Sequence, residues 1–450
     1  MRNHIFRLLI GILLSGCTEK LDVKPDESQL IPESIADFQA LLDNVEYVNY
    51  NMPSYSEAGA DNYYITAVRF NALPTNGLRE GYVWGDHVFP QGDFVADWSQ
   101  TYSLVTFSNL VLEGINGISE GRETAAYRNL RGSALFIRSL SFYGLAGLFC
   151  KTYDSLTAAV DLGVPLRTTS DINTIFKRAS LKETYDLLLH DLKMAIHDLP
   201  LTTTYKTRPS KVAAYGLLSR IYLSLRDYDN ALKYADSALL IDNHLLDYNT
   251  LDGTSAFPFP AFNEEVLLHH AMISSPLIRI NSSMVDTTLL AEYEEYDLRK
   301  TLFFRPLAGG GTLFRGTYTG AVEFFSGIAV DEIYLNRAEC FARKGDITNA
   351  MKDLNTLLVT RWKTGTYVNK TAQDPEDALR QVLAERRKEL LFRGLRFSDL
   401  RRLNREPRFA KTLIRTVNGR VYQLPPGDPR YVYLIPDDEI QISGIQQNIR

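Results

Sequence analysis

A helix–turn–helix pattern written twice, at 211–240 and again at 332–361, constrains this chain more than any other feature. In the first copy Tyr215, Leu218 and Tyr222 fall at i, i+3 and i+7 and share one helix face. The second half carries Ala231 and Ala238, seven apart, and small residues let two helix backbones approach to roughly 8–10 Å. Tyr228 closes the turn, and Asp227 is placed to cap the second helix. Anchored on Ala350, the second copy holds Tyr334, Ala338, Phe341 and Gly345, with Asp346 standing to Ala350 as Asp227 stands to Ala231. Such hairpins bury their apolar faces only by stacking, so two in register predict further helices around them.

The ordering of large and small positions resembles the tetratricopeptide (TPR) repeat. It departs from that pattern at Ser219 and Arg226, where glycine is usual, and in lacking the closing proline. The 450 residues, 45% of them hydrophobic, suffice to bury a large core. A net charge of -5 speaks against a polyanion-binding protein without identifying a partner.

The first residues read as a processing segment. Arg2 and Arg7 make a basic start, and Leu8–Leu14 is an apolar run well below the ~20 residues that span a bilayer. Leu14-Ser15-Gly16-Cys17 resembles a bacterial lipobox, so residues 1–16 are expected to be a lipoprotein signal peptide and Cys17 the lipidated N-terminus. Polar residues 17–34 then serve as a tether. Export permits a disulfide between Cys150 and Cys340, but both lie in apolar helical contexts that favour unpaired thiols.

Helical periodicity is expected over 35–51, 98–115, 125–149 and 181–199, and a helix opened by Asp374-Pro375 should run to about Arg393, where Gly394 stops it. Loop-rich stretches cover 52–97 and 242–328, the latter with short strands such as 266–269. The chain should close with a strand at 431–436 and an extended tail.

Catalytic patterns are absent: no HExxH, no GxSxG and no phosphate-binding lysine after Gly309–Gly311. His269 and His270 would point to opposite sides of a strand, and His190 and His197 lack acidic or cysteine companions, so no metal site is expected. Arg386 to Arg408 is a basic run, but Glu385, Glu389, Asp399 and Glu406 interleave with it, which favours ion pairs over nucleic acid.

That same stretch carries a family resemblance. Glu385, Arg386, Glu389, Gly394, Arg396, Asp399, Leu400 and Arg402 resemble the C-terminal signature of the SusD/RagB family, with Arg393 standing where a glutamate is usual. Trp98, Asn109, Gly163-Val164-Pro165-Leu166, Leu199-Pro200 and the closing Ile435-Pro436, Glu439-Ile440 and Gln447-Asn448 agree in order. The resemblance implies a mostly α fold, a TPR-like superhelix of helical hairpins (about 98–241 and 329–362). An irregular loop and short-strand region accompanies it, with the signature at about 374–450, all in one domain spanning 35–450.

It also implies an outer-membrane lipoprotein of Bacteroidetes facing outward. Such a protein binds an oligosaccharide, or in some members a peptide, and passes it to a SusC-like TonB-dependent transporter without chemistry or cofactor. Two other readings stay open: a TPR scaffold for envelope assembly, and an anchored hydrolase with an unrecognised acid pair. Sugar sites pair flat aromatic faces with a few hydrogen-bonding side chains. Two stretches have that composition: Tyr63, Tyr64, Arg69 and Trp84 in one, and Tyr293, Tyr296, Phe314, Arg315 and Tyr318 in the other. They are expected to meet on one face of the scaffold.

Overall fold

The structure, a computed structural model, describes residues 32–118 and 121–450; the expected signal peptide and Cys17 lie outside them. Ten helices form the frame. They are α1 (Ile35–Leu42), α2 (Ala96–Gly117), α3 (Ala125–Phe149), α4 (Leu181–Asp198), α5 (Lys211–Ser224), α6 (Tyr228–Leu239), α7 (Val330–Arg343), α8 (Ile347–Val359), α9 (Pro375–Glu389) and α10 (Arg396–Leu403). Successive pairs α2/α3, α3/α4, α5/α6 and α7/α8 pack antiparallel, and α6 against α7 joins the two repeats. The fold is therefore the mostly helical, TPR-like assembly that the paired hairpins predict.

Helix α3 is apolar on several sides because it is enclosed: Phe136, Phe142 and Phe149 are fully buried. It alone among the described residues has the length and hydropathy of a membrane span, and 72% of that window is buried within the fold. It is a core helix. Two of its three arginines are spent on α4, Arg131 on Asp198 at 2.6 Å and Arg138 on Asp191 at 2.7 Å. Asn109 of α2 joins them, accepting from Arg138 and donating to the carbonyls of Arg167 and Thr169.

The two repeats share their turn chemistry atom for atom. Asp227 accepts from the backbone N–H and side-chain amide of Asn230, as Asp346 does from Asn349. Each first helix ends in a Schellman closure, with Asp227 N donating to Tyr222 O and Asp346 N to Phe341 O, both at 2.9 Å. That closure needs a left-handed residue. The second repeat supplies Gly345 at φ +80°, whereas the first forces Arg226 to φ +63°. A side chain there costs roughly 1–2 kcal/mol, so Arg226→Gly is expected to raise stability by about 1 kcal/mol. An unchanged or lower midpoint in urea unfolding would contradict that reading. Ala231 and Ala350 are both fully buried at the helix contacts.

The region between the repeats carries only short helical turns, among them Thr287–Leu290 and Arg299–Leu302. Strands β1 (Tyr63–Tyr64), β2 (Met284–Val285), β3 (Phe304–Pro306) and β4 (Thr312–Phe314) make a small antiparallel sheet in the order β1-β2-β4-β3. Several expected boundaries move. The helix over 35–51 breaks at Asp43, and Asn44 caps a short second piece. Helix α9 ends at Glu389, four residues before Arg393, because Leu390–Phe392 turn inward to the core. The closing segment carries a helix, Asp437–Ser443, in place of an extended tail. Cys150 and Cys340 are buried and unpaired.

Candidate functional site

The basic run of the C-terminal signature is buried, and its partners come mainly from distant segments. Arg386 binds Asp399 at 2.8 Å and Asn336 at 2.6 Å, and Arg402 bridges Asp399 to Glu339. Arg396 binds Asp61 at 2.7 Å. Deeper still, Arg299 holds Asp297, Glu385 and Glu389 at 2.7–2.9 Å, while Arg361 joins Glu389 to Glu265, both at 2.7 Å. Arg393, at the position where glutamate is usual, pairs with Asp331 at 2.8 Å and lies 4.0 Å from the Tyr318 ring. Burial alone would push Glu389 up, yet Arg361 and Arg299 hold its carboxyl below the ordinary range. Glu265, pressed by burial and lying near Asp331 and Glu389, is raised to about 7 despite Arg361. These are the groups of a locked frame. Glu265 directly precedes the strand Val266–Leu268, so the frame also sets where the chain that follows must run.

Five of the predicted site residues lie in this interior. Tyr63, Trp84, Tyr293, Phe314 and Tyr318 are all at most 3% exposed. The loops that carry them are themselves packed, and each polar tip has an internal partner. Tyr63 donates to Ala58 O, Trp84 to Gly59 O and Tyr293 to Lys388 O, while Tyr318 bonds Tyr248 and Glu265. Phe314 packs among Phe303, Phe324 and Phe392. Arg69 and Arg315 are half-buried and donate to backbone carbonyls, Arg69 to Pro276 and Arg315 to Gly253, Ser255 and Thr301. Tyr64 is half-buried, and Tyr296 is 49% exposed. The sheet does bring the Tyr63–Tyr64 and Thr312–Phe314 strands together, both pairing with Met284–Val285. None of the nine lines the main cleft.

That cleft encloses about 750 Å³ between the other parts of the same two loop regions. Its floor is three extended segments. Met52 pairs with Met272, Ile273 N donates to Met52 O at 2.8 Å, and Met272 N donates to Phe324 O at 2.9 Å. Asp97, in the first turn of α2, accepts from Ser54 Oγ and Tyr55 N and so ties one wall to the scaffold. The Arg69 bond to Pro276 fastens the other. Phe94 stands at the rim with 74% of its surface free, opposite the half-buried Tyr50, and Gln100, Ser274 and Glu323 supply polar groups. A hollow of about 300 Å³ along Ile278–Asn281 continues it. The signal for Phe94 is present in the sequence, a lone aromatic in Pro90-Gln91-Gly92-Asp93-Phe94 just ahead of a helix.

Other hollows fit a ligand less well. A cavity of about 80 Å³ near Met52, Leu140 and Leu395 has room for roughly two waters. A polar cleft of about 390 Å³ around Arg405 has its charges paired internally, Lys151 with Asp161 and Arg405 with Asp154. No group of side chains that could hold a metal occurs among the described residues. His269 and His270 are buried and pushed down to about 4 and about 3 by desolvation, so both are neutral.

The fold is a TPR-like helical frame carrying a loop-built, partly aromatic cleft. Comparison with known proteins gives the family. Residues 19–223 match the SusD-like family model described as starch-binding associating with outer membrane, 331–439 match the SusD family model, and 212–244 match a tetratricopeptide repeat. The chain belongs to the SusD/RagB family. A SusD superfamily protein of Bacteroides thetaiotaomicron superposes with TM-score 0.74 at 22% identity, covering 93% of this chain and all of that one. A putative sugar binding protein of Bacteroides vulgatus gives 0.73 at 20%, covering 93% and 99%. A laminarin binding SusD-like protein gives 0.65 at 18%, covering 92% and 98%. SusD-like protein P2 of Formosa agariphila is 24% identical over 254 residues, 52% of this chain and 46% of that protein, so the match spans about half of its length.

Proposed function

We propose that the protein is an outer-membrane lipoprotein, anchored through Cys17 and facing outward. It binds an oligosaccharide in the Tyr50–Phe94 cleft and delivers it, unchanged, to a SusC-like TonB-dependent transporter. The observation that carries the binding step is Phe94, a large apolar ring left 74% exposed at the mouth of a cleft whose other walls are ordered. A ring so exposed gains nothing for the fold and suits the C–H face of a sugar, with Tyr50, Gln100 and Glu323 available to hydroxyls. Family membership and the likeness to a laminarin binding SusD-like protein support a saccharide as the ligand.

The test is binding by the purified chain in polysaccharide-loaded gels and by calorimetry. Phe94→Ala should weaken binding at least tenfold, about 1.4 kcal/mol, with the melting temperature unchanged. Undiminished binding in that variant would place the ligand elsewhere.

A further inference from the structure

Resting on that reading of the cleft, we infer that the occupant of its main hollow is a saccharide free of carboxylate and sulfate groups, because every charged side chain lining that hollow is acidic. Asp93 and Asp97 lie on one wall and Glu323 on the other, and no lysine or arginine lines the main hollow. None of the three forms an ion pair among the described residues. Asp97 is bound by the neutral donors Ser54 and Tyr55. Glu323 is held through its backbone, whose carbonyl accepts from the hydroxyls of Thr317 and Thr319 at 2.7 and 2.8 Å, leaving its carboxylate free. Burial first, and then the charge of Glu323, push the Tyr50 phenol up.

The nearby bases do not line the main hollow. Arg69 and Arg79 donate to the carbonyls of Pro276 and Leu73, both at 2.7 Å, and Arg279 belongs to the adjoining hollow. Two physical consequences follow. Carboxylates accept hydrogen bonds and donate none, so they complement sugar hydroxyls and fail to complement uronate or sulfate oxygens. Like charges brought within the ~8 Å over which physiological salt screens them also repel, so an anionic sugar seated against these carboxylates is disfavoured.

The experiment compares retardation of the chain in gels containing laminarin, starch, xylan or galactomannan with gels containing polygalacturonate, alginate or carrageenan. Calorimetry then follows on the native chain, Phe94→Ala and the double variant Asp93→Asn/Glu323→Gln. Binding to at least one neutral polymer is expected, with every acidic polymer at least tenfold weaker and that gap narrowed in the double variant. Retardation by an acidic polymer as strong as by any neutral one, and lost in Phe94→Ala, overturns this inference while leaving the cleft as the binding site. A gap unchanged in the double variant overturns it as well. Absence of retardation by every polymer, with the protein folded, overturns the cleft reading and this inference with it.

Discussion

Glu389→Ala is expected to remove about 3–5 kcal/mol of stability, a larger effect than any other truncation described above. Both of its oxygens are occupied inside the protein: Oε1 accepts from Arg361 Nε at 2.7 Å and Tyr248 Oη at 3.3 Å, and Oε2 accepts from Arg299 Nη1 at 2.9 Å. Arg299 and Arg361 are fully buried. Removing the carboxylate leaves Arg361 with Glu265 alone and Arg299 with Asp297 and Glu385, and the donors it vacates sit in a medium that cannot solvate them, a penalty that exceeds the net worth of the lost pairs. Glu389→Gln should cost less, since it keeps the volume and one acceptor. Urea unfolding at neutral pH measures both. A loss below about 1 kcal/mol for the alanine variant would show that the network is dispensable. Because Glu265 leads into the strand before the cleft floor, the alanine variant should also bind polysaccharide more weakly.

The second large effect is on pH. Burial raises Glu57 to about 7, although Asn62 and the N–H of Gly394 both donate to it, and burial raises Asp97 to about 6. With Glu265 raised to about 7, the folded chain binds more protons than the unfolded chain between about pH 4 and 7. Stability therefore falls as pH rises through that window. The opposite holds at lower pH. Burial opposes ionisation of Glu339, but Arg402 and Arg343 hold it down at about 2, and Arg396, Arg387 and Lys411 likewise keep Asp61 well below its ordinary value. These groups lend stability above about pH 4 and lose it as pH falls toward 2. The melting temperature should be highest near pH 4, where the two limbs meet, and fall on both sides. A carboxyl held near 7 costs about 3 kcal/mol once fully ionised, so Glu57→Gln should visibly flatten the limb from pH 5 to 8. Calorimetry showing a steady rise from pH 5 to 8 would contradict the assignment.

The repeats were legible because their determinants are local. In each repeat an aspartate four residues before a buried alanine opens the second helix, and both caps form as that spacing requires. The same is true of Asp374-Pro375 opening α9. The hairpin of Leu413–Val417 and Arg420–Leu424 also turns on a plain local signal, Asn418-Gly419 at φ +51° and +74°. Even the exception at Arg226 can be read by comparing the two copies, since Gly345 marks what the turn demands.

The binding surface was not legible in this way. Aromatic residues in proline- and glycine-rich segments read as ligand-facing, yet Trp84 and Tyr318 are covered because those segments fold back over the helices and bury their own side chains. Phe94 has the same local composition and remains open. Exposure depends on which distant segments arrive on top, and in the loop regions those arrivals are set by long-range bonds such as Arg69 to Pro276, 207 positions apart. The charges of the signature behave alike. Their presence in the sequence shows that ion pairs will form, but Arg299 reaches Glu385 and Glu389 only once the chain between them has folded. By itself the sequence determined the two repeats, their aspartate caps and the family, all of which rest on short-range spacing. The tertiary structure alone decided which charges are locked away and which aromatic faces solvent, because burial is a property of the assembled chain.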